Sequence, residues 1–308
     1  MSAFVDIVLP VFALIGVGYA AALFGLFDET ATRALSRFVF QFALPVMLFS
    51  SLASQGPPAA FEVSYLLAYF LGAGISAGTA ALLARGSGPH SRVPVVAGFS
   101  AAYGNVILLG IPLVLTALGP DATLPLFALV SVHGPILMTL VTILLERGQG
   151  DLGPGARLWA TAKGLVTNPI LVGLLLGLAV GSSGWTLPEP VAASTALLGQ
   201  AALPAALFAM GASLAGYSIR GALGLALAVV GLKTVLQPLV VWLLVDHVFA
   251  IARPWSDTAI LLAAMPTGVN AYLFATRYRT GEAEAATAIL LSTAASLVTV
   301  SVILALRL

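Results

Sequence analysis

Two short runs set asparagine, glycine and proline together inside apolar stretches, where a polar group could do chemistry. The first is Tyr103-Gly104-Asn105-Val106-Ile107-Leu108-Leu109-Gly110-Ile111-Pro112; the second is Met265-Pro266-Thr267-Gly268-Val269-Asn270. Each sets an asparagine one or two residues after a glycine, within an apolar stretch. Glycine and proline interrupt the helical ladder, and open backbone at membrane depth is tolerated only against protein or along a cavity. Asparagine is a strong N-cap residue. The spacing therefore predicts that Asn105 and Asn270 cap the second halves of two broken helices meeting near the midplane. Exposed helix N-termini carry about half a positive charge each and offer free N–H donors. Two of them suit a carboxylate and repel a cation. Hydrogen bonds to a charged group return about 1.5–3 kcal/mol each, so a few donors offset the several kcal/mol lost when an anion leaves water. The expected substrate-binding set is Asn105, Asn270, Gly104, Gly110, Pro112, Pro266, Thr267 and Gly268, with Tyr103 and Tyr272 flanking it.

Lys233 is the one clear intramembrane charge. It follows Arg220 by 13 residues, about 20 Å along a helix. An ionisable residue at that depth is a functional candidate by default: it pairs with a second substrate carboxylate, stands in for a coupling ion, or joins a structural ion pair. His133, beside Gly134-Pro135, is placed to carry a coupling proton or to serve as an interhelical donor. Gln41, Gln200 and Gln237 are polar and deep, and Asp6 sits at the outer end of the first helix. No catalytic constellation is evident: zinc-type histidine spacing, a carboxylate dyad and an activated serine are all missing. With no cysteine, disulfides and thiolate-held metals are excluded. Neither a metal site nor a cofactor is expected, and the chain does not read as an enzyme. Coupling to protons or sodium stays open, although no acidic cluster is present to hold sodium.

The elements that must position these groups are membrane helices. Of 308 residues, 60% are hydrophobic and 8% charged, against about 25% charged in soluble domains. The expected fold class is an all-α polytopic membrane protein. Ten segments of about 20 residues suffice to span a bilayer: roughly 4–25, 31–54, 62–84, 93–117, 122–145, 165–183, 190–215, 221–247, 256–276 and 284–306. One set of loops carries Arg33, Arg37, Arg85, Arg92, Arg147, Arg157, Lys163, Arg220, Arg277 and Arg279; the other carries Arg253 and Arg307. The first set is then cytoplasmic, and both termini lie outside the cytoplasm. The first helix has no basic residues ahead of it and reads as retained, not as a cleaved signal.

The chain also repeats itself. Gln41-Phe42-Ala43-Leu44-Pro45-Val46-Met47-Leu48-Phe49 matches Gln200-Ala201-Ala202-Leu203-Pro204-Ala205-Ala206-Leu207-Phe208 at an offset of 159, which also carries Pro10 to Pro169, Gly18 to Gly177 and Gly25 to Gly184. Asn105 and Asn270 correspond at an offset of 165. The expected organisation is a single membrane domain, 1–308: repeat 1 over 1–146, a cytoplasmic linker over 147–164, and repeat 2 over 165–308. Five helices per half make the second copy enter from the opposite face, a 5+5 inverted repeat suited to alternating access.

The run ending Leu109-Gly110-Ile111-Pro112-Leu113, the Leu-Pro pairs of helices two and seven, and the segment from Met265-Pro266 to Asn270 resemble the auxin efflux carrier family. Its members include plant PIN-type carriers and bacterial permeases assigned to malonate and malate. The resemblance covers the whole chain. It implies a ten-helix fold related to bile acid–sodium symporters, with broken, crossing helices 4 and 9. It further implies a scaffold of helices one, two, six and seven, a moving domain of the rest, and a homodimer through helices 2 and 7. The family's crossover asparagines match Asn105 and Asn270. The central loop is short where plant carriers have a long one, so a bacterial inner-membrane carrier is expected. The expected function is a secondary transporter (permease or efflux carrier) for small organic anions, with the lipid bilayer as its other partner and no nucleic acid. A passive anion channel is the alternative in mechanism, and a non-transporting sensor or scaffold the alternative in class.

Overall fold

The computed structural model describes residues 4–54, 62–88, 91–146, 167–219, 221 and 223–307. Among the described residues the chain is helical, without a named strand. Twelve helices follow in order: α1 (Asp6–Leu23), α2 (Glu29–Ala53), α3 (Val63–Ser87), α4 (Val93–Ala102), α5 (Val106–Leu118), α6 (Pro120–Leu145), α7 (Pro169–Ser183), α8 (Glu189–Leu214), α9 (Leu223–Val248), α10 (Trp255–Ala263), α11 (Asn270–Arg277) and α12 (Glu282–Arg307). Seven of them, α1, α2, α3, α6, α8, α9 and α12, are long and apolar enough to cross a membrane. Leu23, Leu67, Leu197, Val298 and Leu306 are all more than half exposed, as expected of a surface bathed in lipid.

Of the ten expected segments, the described residues form seven as helices of spanning length. Segment 93–117 is divided into α4 and α5, and segment 256–276 into α10 and α11. The described part of 165–183 is α7, with 15 residues. The linker 147–164, and with it Arg147, Arg157 and Lys163, lies outside the described residues, as does Arg220.

Proline shapes the helices in a repeated way. Wide π turns occupy Phe4–Val8, Val39–Ala43, Val106–Gly110, Leu232–Leu236 and Leu243–Val248, and all but the last end two residues before a proline: Pro10, Pro45, Pro112 and Pro238. Proline lacks the N–H that would close the regular ladder, and its ring presses on the carbonyl one turn back. The helix absorbs this by widening locally. Pro135 lies inside α6 without dividing it.

Two seams hold α1 against α8 and α2 against α7. A Cβ added to Gly18 would collide with the Phe208 carbonyl, and one on Gly177 would stand 2.9 Å from the Phe49 carbonyl. Both pairs obey the 159-residue offset, so the same glycine-to-carbonyl approach is made twice with partners exchanged. Gly211 against Ile15 and Gly173 against Pro45 are equally tight. In lipid, where apolar burial drives helices together only weakly, small residues permit the close backbone contact that does.

At one end, Arg307 ties three helices together. Its Nε donates to Asp257 Oδ1 at 2.5 Å, its amino groups to both oxygens of Asp246, and one of them to Ser256 Oγ at 3.1 Å. At another helix end, the Tyr278 hydroxyl donates to Glu146 Oε1 at 2.9 Å.

Candidate functional site

The gaps between α4 and α5 and between α10 and α11 come together. Gly104 and Thr267 form an isolated antiparallel bridge. Asn105 N donates to the Pro266 carbonyl at 2.7 Å, and Gly268 N to the Tyr103 carbonyl at 2.8 Å. Two extended segments thus satisfy each other's backbone where neither helix can. The approach is close: a Cβ on Gly268 would stand 2.7 Å from the Tyr103 ring, and one on Gly110 2.9 Å from Leu262.

Asn105 is a cap, since its Oδ1 accepts from Leu108 N at 3.3 Å. Its carbonyl accepts from Gly110 N at 3.1 Å, the longer reach of a π turn. Its Nδ2 rests on Met210 Sδ at 3.3 Å. A thioether is a weak acceptor, so this buried amide keeps a donor that an oxyanion could engage far better.

Asn270 differs from the sequence expectation. It is the first residue of α11, Val269 precedes it in helical conformation, and no side chain caps the helix. Its Nδ2 instead donates to the Tyr103 hydroxyl at 2.7 Å. Because Val269 has already entered the helix, the asparagine lies one position too late to cap.

Thr267 is fully buried and structural: its N donates to Ser292 Oγ at 3.0 Å and its hydroxyl to the Ser100 carbonyl at 2.9 Å. Gly104, Pro266 and Gly268 supply backbone to the crossing, while Gly110 lets α5 approach α10. Pro112, at the second position of the regular part of α5, lies beyond the crossing and accounts for the π turn before it.

Lys233 is buried with no exposure, and its Nζ donates to the Ala263 carbonyl at 2.6 Å. That carbonyl belongs to the last turn of α10, where the helix carries about half a negative charge. A Cβ on Gly104 would point at Nζ, 3.3 Å away. Side chains alternate along extended backbone, so Lys233 meets the crossing on the face opposite Asn105. His133 is also fully buried; its Nδ1 lies 3.2 Å from the Tyr69 hydroxyl, and its ring is 4.7 Å from that of Tyr103.

Sequence reasoning missed Ser100, Ser292, Tyr69 and Met210. Ser100 lies one turn before Gly104, and an interrupted strand-like backbone needs such partners, but nothing in the chain marks which serine supplies them.

The geometry defines a class of protein: a helical membrane protein with buried, non-helical backbone paired in its interior. The sequence model of the family described as "Membrane transport protein" matches residues 3–155 and 156–304, and the chain belongs to this family, that of the auxin efflux carriers. It is 28% identical to the "Putative malonate transporter" of Rhizobium meliloti (strain 1021), over 98% of this chain and 95% of that one. It is also 28% identical to an "Uncharacterized transporter" of Methanothermobacter thermautotrophicus, over 88% and 87% of the two chains. To "Auxin efflux carrier component 8" of Arabidopsis thaliana it is 24% identical, over 89% of each. It is a transporter and not an enzyme.

Proposed function

We propose that this transporter moves small organic anions, carboxylates foremost, across a bacterial inner membrane by alternating access. The reading takes the fold as ten spans in a 5+5 inverted repeat, counting α4–α5 and α10–α11 as broken, crossing fourth and ninth helices. The glycine-to-carbonyl seams that exchange partners at one offset support it, as do the two successive family matches. The observation that carries the substrate class is the crossing itself. There α5 and α11 each begin at the paired backbone of Gly104 and Thr267, and the Asn105 amide rests on a sulfur that a carboxylate oxygen would replace.

The potential sets the direction. With the inside negative, an exported monoanion gains about 2.3 kcal/mol per 100 mV, and export needs no coupling ion. Import would need protons or sodium. Lys233 acts here as a fixed cation behind the crossing, and His133 as a neutral interhelical partner. Gln41 and Gln200, 159 apart and both exposed within their helices, support a homodimer through the second and seventh spans, because an amide facing lipid lacks a partner.

The test is uptake and counterflow of mono- and dicarboxylates into liposomes holding the purified protein. Saturable flux with counterflow, lowered at least about tenfold in Asn105→Ala, is expected. Saturation without counterflow would make it a channel. No flux for any organic anion would sink the reading in favour of a sensor or scaffold.

A further inference from the structure

The face of the crossing that Lys233 occupies holds more donors than it has acceptors for. The ammonium has three N–H groups and makes one hydrogen bond, to Ala263. Among the described residues no carboxylate pairs with it. Gln237, the next residue but three along α9 and so on the same side of the helix, is fully buried, and neither atom of its amide has a hydrogen-bond partner. The Tyr69 hydroxyl lies within hydrogen-bonding reach of that amide, short of the geometry of a full bond. His133 Nε2 is buried and has no partner in full bonding geometry; the Gly104 backbone and Lys233 both lie near this ring. With Tyr69 donating to Nδ1, the neutral ring carries its proton on Nε2 and presents a further donor.

The charge balance points the same way. The C-terminus of α10, at the Ala263 carbonyl, offsets about half the charge of a protonated Lys233, and among the described residues no carboxylate supplies the rest. We propose that Lys233, Gln237 and His133, with Tyr69 alongside, form a second anion site that holds a small inorganic monovalent anion such as chloride. It lies behind the crossing, separate from the organic-anion site on the Asn105 face. Chloride would accept from Nζ, the Gln237 amide and His133 Nε2, neutralise the lysine, and let the crossing region move without carrying a bare charge.

The experiment compares thermal unfolding of the purified full-length protein in sodium chloride and in sodium methanesulfonate at equal ionic strength, with no organic acid present. Chloride-35 NMR line broadening reads binding directly. A saturable rise in Tm of a few degrees with chloride, reproduced by bromide, is expected. Gln237→Leu should shift the chloride midpoint upward by about tenfold or more, and Lys233→Met should abolish the response; if Lys233→Met does not fold, Gln237→Leu decides. Asn105→Ala should keep the response, and its loss there would place the halide in the organic-anion site and overturn the proposal. Equal stability and no line broadening in the two salts, or a response untouched by Gln237→Leu, would overturn it too.

Discussion

The seams between α1 and α8 and between α2 and α7 are built in a manner opposite to the crossing. In the seams glycine faces backbone carbonyl, and the helices remain helical through the contact, with one π turn in α2. The crossing gives up regular ladder in both helices and recovers it by pairing two extended segments, with serine and threonine completing the count. A seam of the first kind has one arrangement, because any shift drives backbone into backbone. A crossing of the second kind is held by individual hydrogen bonds of about 1 kcal/mol each, which can be exchanged with a ligand. The two kinds of contact thus differ in what replaces the side chain at close approach.

Substitutions can break that contrast, beginning with the seams. Gly18→Leu places a side chain where the Phe208 carbonyl stands. It should abolish folded protein, read as loss of the monodisperse peak in detergent, while Gly16→Leu, with nothing within 4 Å of its Cβ position, should be tolerated. Asn105→Ala should leave the peak intact and lower transport by about 10- to 100-fold, from the loss of one or two hydrogen bonds to an anion; normal transport would break the comparison at its functional end. Ser292→Ala strands the buried Thr267 N–H and should cost about 1–3 kcal/mol in unfolding, measurable as a lowered Tm. Tyr103→Phe removes only the partner of the partly exposed Asn270 amide, and should change transport by less than about tenfold with Tm nearly unchanged. A larger effect than that of Asn105→Ala would reverse the ranking of the two asparagines.

Composition alone disclosed a membrane protein, because apolar stretches of spanning length have few other uses. The crossing was legible through Gly104, Asn105, Pro266 and Gly268, whose types are poor choices for an uninterrupted helix. The role of Asn270 was not, since a cap and a first helical residue differ by one position, which spacing cannot resolve. The side from which Lys233 approaches was also hidden. It depends on alternation along three residues of extended backbone and on a π turn in α9, both set by tertiary packing. Ser292 and Tyr69 escaped notice because a lone hydroxyl in an apolar helix reads the same whether it serves its own ladder or another segment's.

The wide turn at Leu232–Leu236 can be regarded as one surplus residue. Removing a single position between Lys233 and Gln237 would let α9 close into an ordinary spiral while both flanks keep nearly their present directions, because the wide turn had already absorbed the surplus residue. Lys233 and Gln237 would then stand three positions apart instead of four and would still share a side. A one-codon deletion therefore takes out the bulge while leaving the ammonium indoors, a change that no replacement of the lysine can make.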